Sequence, residues 1–424
     1  MNYFPASRVA NEMVQKEEKV SRYIITNDIV ERARFNLLGS LLPPSPPYFY
    51  KKKRRLFRCT PFFRPSPPSL HIFVLKMKSK YTTTAKHNKG YIYRENIPEQ
   101  FLFFFLIFYL LIVLYVLRNT PYKNIILLYI VPCVLLFKVS FICLPRFIHF
   151  LHEKGLYGVD LNKISKGKVA EPIGLFPSIL YFIFTLFYQL LYYDDHKILL
   201  EYNAGLLSII FMTFLGFIDD ILELKWRYKV VLPFFGINGL EIGQSLIIAF
   251  FISIHNLIEI ILNLGTGGSK GIIEGAQILK QHFLSIIFIL PFVSINLVTF
   301  SFNFYPSKGF VGNTLTYFCG IFLAVVSIFG HFSKTLILFL IPQFLNFFLS
   351  LPQLLNFVPC PRHRLPVVNP RTNKLTYSHN YTLINLILYL FGPLSEFHLV
   401  VLLLAFQFGT CSLGLFFRYF IDTT

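Results

Sequence analysis

Long apolar runs follow one another from Phe101 towards the C-terminus, and short polar segments separate them. A helix needs roughly 17–25 apolar residues to cross a bilayer, and most of these runs have that length. The pattern therefore predicts an all-α fold, a polytopic bundle of transmembrane helices. The predicted spans are residues 101–117, 125–150, 172–193, 203–218, 244–263, 283–302, 311–330, 335–356 and 396–418.

Three segments stand apart from this pattern. Residues 1–98 are rich in Lys, Arg, Pro and Ser, which predicts a poorly ordered, basic N-terminal extension in front of a multi-span domain, residues 99–424. The run at 101–117 is either the first span or an anchor. The stretch TLINLILYLFGP, which begins at Thr382, is apolar but too short to cross, and we expect an interfacial or re-entrant piece.

Composition and charge narrow the class of protein. The chain is 54% hydrophobic and 14% charged, with a mean hydropathy of +0.56, which excludes a soluble globule. Much of the net charge of +19 lies in the basic N-terminal extension; the other basic residues lie mainly in short loops between apolar segments, as the positive-inside rule describes, and those loops should face the cytosol. We therefore expect the lipid bilayer and an anionic substrate as partners, and no nucleic acid. The six cysteines form no CxxC pair, so no disulfide framework is implied.

One polar segment places two acids at the end of an apolar run. In GFIDDILELKWRYK, Asp219 and Asp220 are adjacent and Lys229 follows a few turns later. Paired carboxylates beside basic residues suggest a metal held against phosphates. A helix cap or a solvated helix end is the structural alternative for the acids, and a snorkelling lysine is the alternative for Lys229. We give the cap less weight because two acids at a membrane boundary are costly.

A second polar segment, PCPRHRLP, gathers three basic or proton-bearing side chains, namely Arg362, His363 and Arg364. The planar forks of two arginines suit phosphate oxygens, and the flanking prolines stiffen the loop. A loop that only orients the chain in the membrane is the alternative. Lone histidines elsewhere are better explained as structural, and His331 in particular should lie on the opposite, lumenal face.

Six segments in this order resemble one family, that of the eukaryotic UDP-N-acetylglucosamine–dolichyl-phosphate N-acetylglucosamine-phosphotransferases. They are GLYGVDLNK, GFIDDILELKWRYK, GINGLEIGQS, NFYPSKGFVGNT, GHFSKT and PCPRHR, and the resemblance runs from about Ile125 to the C-terminus. It implies transfer of GlcNAc-1-phosphate from UDP-GlcNAc to dolichyl phosphate, giving GlcNAc-diphosphodolichol and UMP, the first step of N-glycan precursor synthesis. It also implies Mg²⁺, sensitivity to tunicamycin, an endoplasmic reticulum membrane location and an active site facing the cytosol. A homodimer stays open.

The resemblance also implies roles for individual residues. Asp219 and Asp220 would hold Mg²⁺, anchor its ligands or orient the lipid phosphate, and Lys229 would meet dolichyl phosphate. Arg362, His363 and Arg364 would hold the diphosphate and the acetamido sugar. The uridine end would lie against Val159, Asp160 and Leu161, with Glu171. Asn238 would contact the nucleotide sugar, although a turn residue before Gly239 is its structural alternative.

Two departures from the family pattern bear on activity. Asn313 stands where the family has an aspartate that binds metal; its carbonyl oxygen can still coordinate Mg²⁺, but the lost charge should weaken the affinity. Residues 230–237 join two segments that the family separates by most of two helices, and a stretch so short cannot cross a bilayer. The missing part would include a metal-binding asparagine, whose place is taken by Leu232.

Three functions of different classes follow. The first is a working transferase, because the segments survive at both ends of the chain. The second is a catalytically weak or inactive member that acts as a membrane scaffold, which Asn313 and the short junction favour. The third, a transporter or channel, would place polar residues near the middle of the bilayer on broken helices, and not at helix ends on one face.

Overall fold

The computed structural model describes residues 96–163, 167–192, 196–222, 237–265, 272–355, 357–361 and 364–420. The helices of this part of the chain are α1 (Glu99–Leu117), α2 (Lys123–Glu153), α3 (Leu175–Tyr188), α4 (His196–Leu222), α5 (Leu240–Gly265), α6 (Ile272–Asn303), α7 (Gly312–Phe329), α8 (Ser333–Phe339), α9 (Ile341–Leu354), α10 (Leu383–Phe391) and α11 (Glu396–Phe420). Two short hairpins pair β1 (Tyr157–Val159) with β2 (Lys168–Ala170) and β3 (Val367–Asn369) with β4 (Lys374–Thr376), both antiparallel. The predicted all-α polytopic fold is confirmed.

Helix α6 forms the centre of the bundle. Over an apolar stretch of 18 residues in α6, 94% of the residues are buried. Over stretches of the same length in α1, α2 and α4, only 33% are buried. Helices α1, α2, α3, α5 and α7 all pack against it. Phe292 of α6 stacks on Phe322 of α7, with ring centroids 3.8 Å apart. The outer helices leave their remaining apolar faces exposed, as lipid-facing helices do.

Most predicted spans coincide with helices, and two differ. Within the described ranges, seven helices are long and apolar enough to cross a membrane, and the number of spans is eight if α8 and α9 together form one. The span predicted at 172–193 is helical over nearly that range but not one α-helix, because α3 covers only 14 residues and continues as a 3₁₀ helix, Gln189–Tyr192. The span predicted at 335–356 is not one straight helix, because α8 and α9 meet at Leu340 with a bend of 63°, the geometry of a broken span or a re-entrant loop.

The segment after Thr382 forms the nine-residue helix α10, which is too short to cross a bilayer, in agreement with the expectation of an interfacial piece. The Thr382 hydroxyl caps it by accepting from the backbone N–H of Asn385. A second hydrophobic cluster packs α10 and the β3–β4 hairpin against the beginnings of α5 and α11, through residues such as Leu240, Leu375 and Leu399.

Of the predicted N-terminal extension, only residues 96–98 are described. Asn96 donates from its side chain to the carbonyls of Phe304 and Pro306, just beyond the end of α6. Helix α1 therefore begins at the same end of the bundle at which α6 ends, and the helices that follow alternate in direction from there.

Candidate active site

Backbone pairing fixes the loop before α7 against the segment that follows β2. The Phe310 N–H donates to the Ala170 carbonyl at 2.8 Å, and the Ile173 N–H donates to the Phe310 carbonyl at 2.9 Å. Gly174 donates in turn to Val311. Gly312, which begins α7, has a φ of +74°, a backbone conformation that favours glycine. This pairing brings together two segments that are far apart in the sequence, namely GLYGVDLNK with its continuation and NFYPSKGFVGNT.

Asp220 caps the N-terminus of α7 from the neighbouring helix α4. Its Oδ1 accepts from the backbone N–H of Asn313 at 2.7 Å, and its Oδ2 accepts from the N–H and the hydroxyl of Thr314 at 2.8 and 2.5 Å. Val311, the residue at the cap position of α7, supplies no side-chain cap. Asp220 satisfies backbone donors that would otherwise lack partners, and its negative charge suits a helix N-terminus.

A helix cap was the alternative to which we gave less weight, and the structure shows that Asp220 does cap a helix. A glycine one turn earlier on the same face makes the contact possible, since a Cβ on Gly216 would lie 2.8 Å from the Asn313 carbonyl oxygen. The side chain of Asp219 points in a different direction from that of Asp220, because successive residues of a helix are rotated by about 100°. Its side chain is buried, with a relative exposure of 1%.

Two more carboxylates lie near this cap. Glu241, in the first turn of α5, accepts from the Thr316 hydroxyl at 3.1 Å. Glu171 lies beside Gly158, where a Cβ would come within 2.5 Å of its Oε2. The charges of Glu171 and Asp220 both act on Glu241 by repulsion. This end of the bundle therefore concentrates negative charge around the first two turns of α7.

A second network surrounds the amide of Asn238. Its Nδ2 donates to Asp160 Oδ2 at 3.2 Å and to Glu396 Oε1 at 2.8 Å. Lys163 Nζ lies 2.7 Å from Asp160 Oδ2, and the Asn162 N–H donates to Asp160 Oδ1. Asp160 and Glu396 are only 3% and 4% exposed. Three elements thus meet here: the β1–β2 hairpin, the turn before α5 and the start of α11.

The turn before α5 joins the two networks. Asn238 belongs to the second network, and Glu241, three residues later, belongs to the first. The Asn303 side chain secures this turn by accepting from the Gly239 N–H at 2.9 Å and donating to the Gly309 carbonyl at 2.9 Å. Asn238 is therefore a turn residue, the structural alternative named above, and it also lies within the polar cluster.

Arg364 lies half-buried in the loop after α9, close to the β3–β4 hairpin. Leu375 of β4 forms a β-bridge with Leu394, two residues before Glu396, so the hairpin is attached to the start of α11. Burial lowers the pKa of the Arg364 guanidinium. An arginine that is partly removed from water makes stronger bonds to anionic oxygens than an exposed one does.

The other predicted site residues differ in their surroundings. Val159 in β1 and Leu161 just after it are 45% and 40% exposed, so both flank the buried Asp160 at the surface. Asn313 is half-buried in the first turn of α7. Several of the residues named above lie outside the described residues. They are Lys229, Arg362, His363 and residues 230–236 of the short junction, which include Leu232.

Sequence reasoning missed Glu241 and Glu396 as members of the cluster. Each is the acid in the first turn of a long apolar helix, and that position was the available signal. His331, by contrast, lies in the turn after α7, at the end of that helix opposite to Asp220, as predicted.

The polar cluster offers only oxygen donors on its acidic side, the ligand type that Mg²⁺ prefers. Within the described ranges, however, no three side chains of His, Cys, Asp or Glu are placed to hold a metal ion. Both oxygens of Asp220 are already engaged by α7. Oxygen donors are nevertheless the ligand type for Mg²⁺, and Asp219 and Asn313 are the oxygen-bearing side chains that sequence reasoning named for it.

Comparisons with known proteins agree with this picture. Residues 234–331 match the family described as Glycosyl transferase family 4. Two curated proteins named UDP-N-acetylglucosamine–dolichyl-phosphate N-acetylglucosaminephosphotransferase align over most of their lengths. The protein of Dictyostelium discoideum is 37% identical, covering 65% of this chain and 85% of its own, and that of Schizosaccharomyces pombe is 28% identical, covering 68% and 90%.

A third protein of that name, from Leishmania amazonensis, is 44% identical over 44% of this chain and 41% of its own. The Dictyostelium alignment spans 346 residues yet takes in only 65% of the 424 residues of this chain. The relative therefore carries residues that have no counterpart here.

Proposed function

We propose that this chain, which belongs to the UDP-N-acetylglucosamine–dolichyl-phosphate N-acetylglucosaminephosphotransferase family, transfers GlcNAc-1-phosphate from UDP-GlcNAc to dolichyl phosphate. A phosphate oxygen of dolichyl phosphate forms a bond to the sugar-linked phosphorus of UDP-GlcNAc. The bond between that phosphorus and the bridging oxygen breaks, and UMP leaves with the electron pair. The products are GlcNAc-diphosphodolichol and UMP, so this is the step that begins the lipid-linked N-glycan precursor.

One observation carries this proposal: polar segments far apart in the sequence meet at one end of the bundle. The amide of Asn238 joins Asp160 to Glu396, residues 78 and 158 positions away from it, and Asp220 holds the start of α7 from 93 positions away. A reaction between a membrane lipid and a water-soluble nucleotide sugar needs such a site at the membrane boundary. A transporter would instead need polar groups along a path through the bundle.

The residues of the site position the substrates and handle charge, because phosphoryl transfer depends mainly on position and charge. Arg364, with Arg362 and His363, would bind the diphosphate oxygens, and Lys229 would bind the lipid phosphate. The surface around Val159, Asp160 and Leu161, with Glu171 and Asn238, would take the nucleotide end. A phosphate monoester is largely ionised near neutral pH, so no strong base is needed to activate it.

Mg²⁺ would be held by Asp219 and by the side-chain oxygen of Asn313. When bound, it would neutralise charge on the diphosphate. Asp220 would act on this site through α7, because its carboxylate fixes the first turn of that helix and therefore the backbone of Asn313. With asparagine in place of aspartate at position 313, we expect the chain to need more Mg²⁺ than its relatives do.

We place the enzyme in the endoplasmic reticulum membrane with the polar end facing the cytosol. The basic loops support this orientation: Lys154, Lys163, Lys168 and Lys308 all lie in or beside the loops of that end. UDP-GlcNAc would then reach the site from the cytosol, and dolichyl phosphate would reach it from the bilayer.

The test is transfer of radiolabelled GlcNAc-phosphate from UDP-GlcNAc to dolichyl phosphate by membranes in which this chain is the sole transferase. We expect a lipid-linked product that requires Mg²⁺ and disappears with tunicamycin. Membranes without the chain provide the background, and protease protection of the inserted protein shows that it is folded in the membrane. A well-inserted chain that binds UDP-GlcNAc but forms no product would contradict the proposal and favour the scaffold instead.

A further inference from the structure

Glu396 stands out among the buried acids because one of its oxygens has a partner and the other does not. Its Oε1 accepts from Asn238 Nδ2 at 2.8 Å. Its Oε2 is buried and accepts no hydrogen bond within the part of the chain that is described. The side chain is 4% exposed. Burying a carboxylate with an unsatisfied oxygen is costly, so a position of this kind calls for an explanation.

A helix cap does not explain it. Glu396 lies in the first turn of α11, where a negative charge is favourable. Yet Ser395 already supplies the side-chain cap, since its hydroxyl accepts from the His398 N–H and also contacts His398 Nδ1. The carboxylate of Glu396 reaches instead across to Asn238, in the turn before another helix.

Packing does not require a charge there either. Asp160 lies on the other side of the same amide, so two buried carboxylates share one neutral group and repel each other, with Lys163 as their nearby cation. A glutamine at position 396 would fill the same volume and could still accept from Asn238 without this repulsion. An acid at this position is therefore better explained by what its oxygen does to the Asn238 amide.

The two carboxylates determine how the Asn238 amide is oriented. Carboxylates only accept hydrogen bonds, so the group that faces both must be the NH₂ donor and not the carbonyl. The carbonyl oxygen Oδ1 is then turned away from both acids. Asn238 thus offers an acceptor whose direction is fixed by its two neighbours.

We propose that Glu396 is a positioning residue: it locks the Asn238 amide so that Oδ1 accepts a hydrogen bond from an N–H or O–H group of the nucleotide sugar. This inference rests on the proposed function, because it takes the nucleotide sugar as the ligand of Asn238. Glu396 itself acts through Asn238 and does not need to touch the reacting atoms. The energetic effect is that of one charge-assisted hydrogen bond together with the orientation that it secures.

The test compares Glu396→Gln with the full-length wild-type protein in detergent micelles. Glutamine keeps the volume but can present its NH₂ group to Asn238, which allows the amide to turn over. We expect the KM for UDP-GlcNAc and the Kd for UDP-GlcNAc, measured by calorimetry, to rise roughly 10-fold. The KM for dolichyl phosphate should stay within about 2-fold of wild type, because a local positioning role acts on one substrate.

Glu99→Gln is the matched control. Glu99 is also an acid in the first turn of a helix at the same end of the bundle, but it pairs with Lys138 away from the cluster. This variant should leave both constants unchanged. Equal thermal stability of Glu396→Gln and Glu99→Gln would show that any change in affinity does not come from partial unfolding.

A double-mutant cycle separates positioning from a general structural role. If Glu396 acts only through Asn238, then the double variant Asn238→Ala with Glu396→Gln should bind UDP-GlcNAc no more weakly than Asn238→Ala alone. Additive losses would overturn the inference. So would a Glu396→Gln variant with unchanged UDP-GlcNAc affinity while wild type transfers normally, a result that leaves the proposed function intact. Wild-type protein that neither transfers nor binds UDP-GlcNAc would overturn both.

Discussion

The two ends of the bundle both contain buried polar networks, but only one of these networks is closed. At the end away from the proposed site, both ring nitrogens of His255 are engaged, Nδ1 by the Tyr419 hydroxyl at 2.5 Å and Nε2 by the Gly330 carbonyl at 2.9 Å. The next residue, Asn256, donates to Ser285 and takes a hydrogen bond from His282. Together these bonds tie α5, α6, α11 and the turn after α7 to one another.

The network at the site end is open by comparison. Within the described part of the chain, Glu396 keeps a buried oxygen without a hydrogen bond, and Asn238 presents its NH₂ group to two acids, so its carbonyl oxygen faces away from them. The acids outnumber the cations: around the Asn238 amide, Asp160 and Glu396 share Lys163. A closed network stabilises the fold, whereas an open one keeps bonding capacity for a ligand. The predictions below test whether this difference separates function from stability.

The largest effect is expected from Arg364→Ala. The diphosphate would lose a bidentate partner in a half-buried place, so kcat/KM for transfer should fall at least ~100-fold while the protein remains inserted. Arg371→Ala is the matched control, because Arg371 lies exposed in the turn of the nearby β3–β4 hairpin and should change kcat/KM less than about 2-fold. Normal turnover in the Arg364 variant would remove this residue from the site.

Asp220→Ala should reduce both transfer and stability. The variant leaves the N–H groups of Asn313 and Thr314 without their acceptor, which costs about 1–2 kcal/mol in the free energy of unfolding. Because the first turn of α7 then loosens, we expect kcat/KM to fall roughly 10- to 100-fold. Thr314→Val removes only the hydroxyl bond and keeps both backbone donors capped. If it reduced transfer as much as Asp220→Ala does, the capping explanation would fail.

The capping role of Asp220 is an example of what the sequence could not predict. The apolar runs located nearly every helix, because a bilayer imposes one length and one polarity on each span. The same runs could not show that Val311 lacks a capping side chain and that an acid 91 residues earlier supplies one. The break at Leu340 was hidden for a related reason, since both halves, α8 and α9, are apolar and the bend depends on tertiary packing.

The candidate site was predictable in part for the same physical reason. Asp219 and Asp220 were found because adjacent acids at a membrane boundary are costly and therefore conspicuous, whereas Asp160 and Asn238 were named from the family resemblance. Glu396 was not found, since a lone acid at the start of an apolar helix is also what a helix N-terminus favours. Its significance depends on a contact with a residue 158 positions away, and no local pattern encodes that distance.

A smaller effect is expected from Asn313→Asp. The added carboxylate lies in the first turn of α7, where a negative charge is favourable, and it supplies a charged oxygen for Mg²⁺. We expect the Mg²⁺ concentration for half-maximal transfer to fall about 3- to 10-fold, with a small gain in maximal rate. Asp220 caps the same turn and repels the new charge, which limits the gain. An unchanged Mg²⁺ titration would mean that the metal is held elsewhere.

The smallest effect on transfer, and the sharpest test of the comparison, is expected from His255→Ala. The variant breaks the closed network and leaves the Tyr419 hydroxyl and the Gly330 carbonyl without this partner, so the free energy of unfolding should fall by about 2–4 kcal/mol. Tyr419→Phe, which keeps the ring and removes only the hydroxyl, should cost less. At a temperature where both variants stay folded, kcat/KM should match wild type, because the network lies at the far end of the bundle from Asp220 and Asn238. A loss of transfer in folded His255→Ala would show that the two ends are coupled, and the division between a stabilising end and a reactive end would no longer hold.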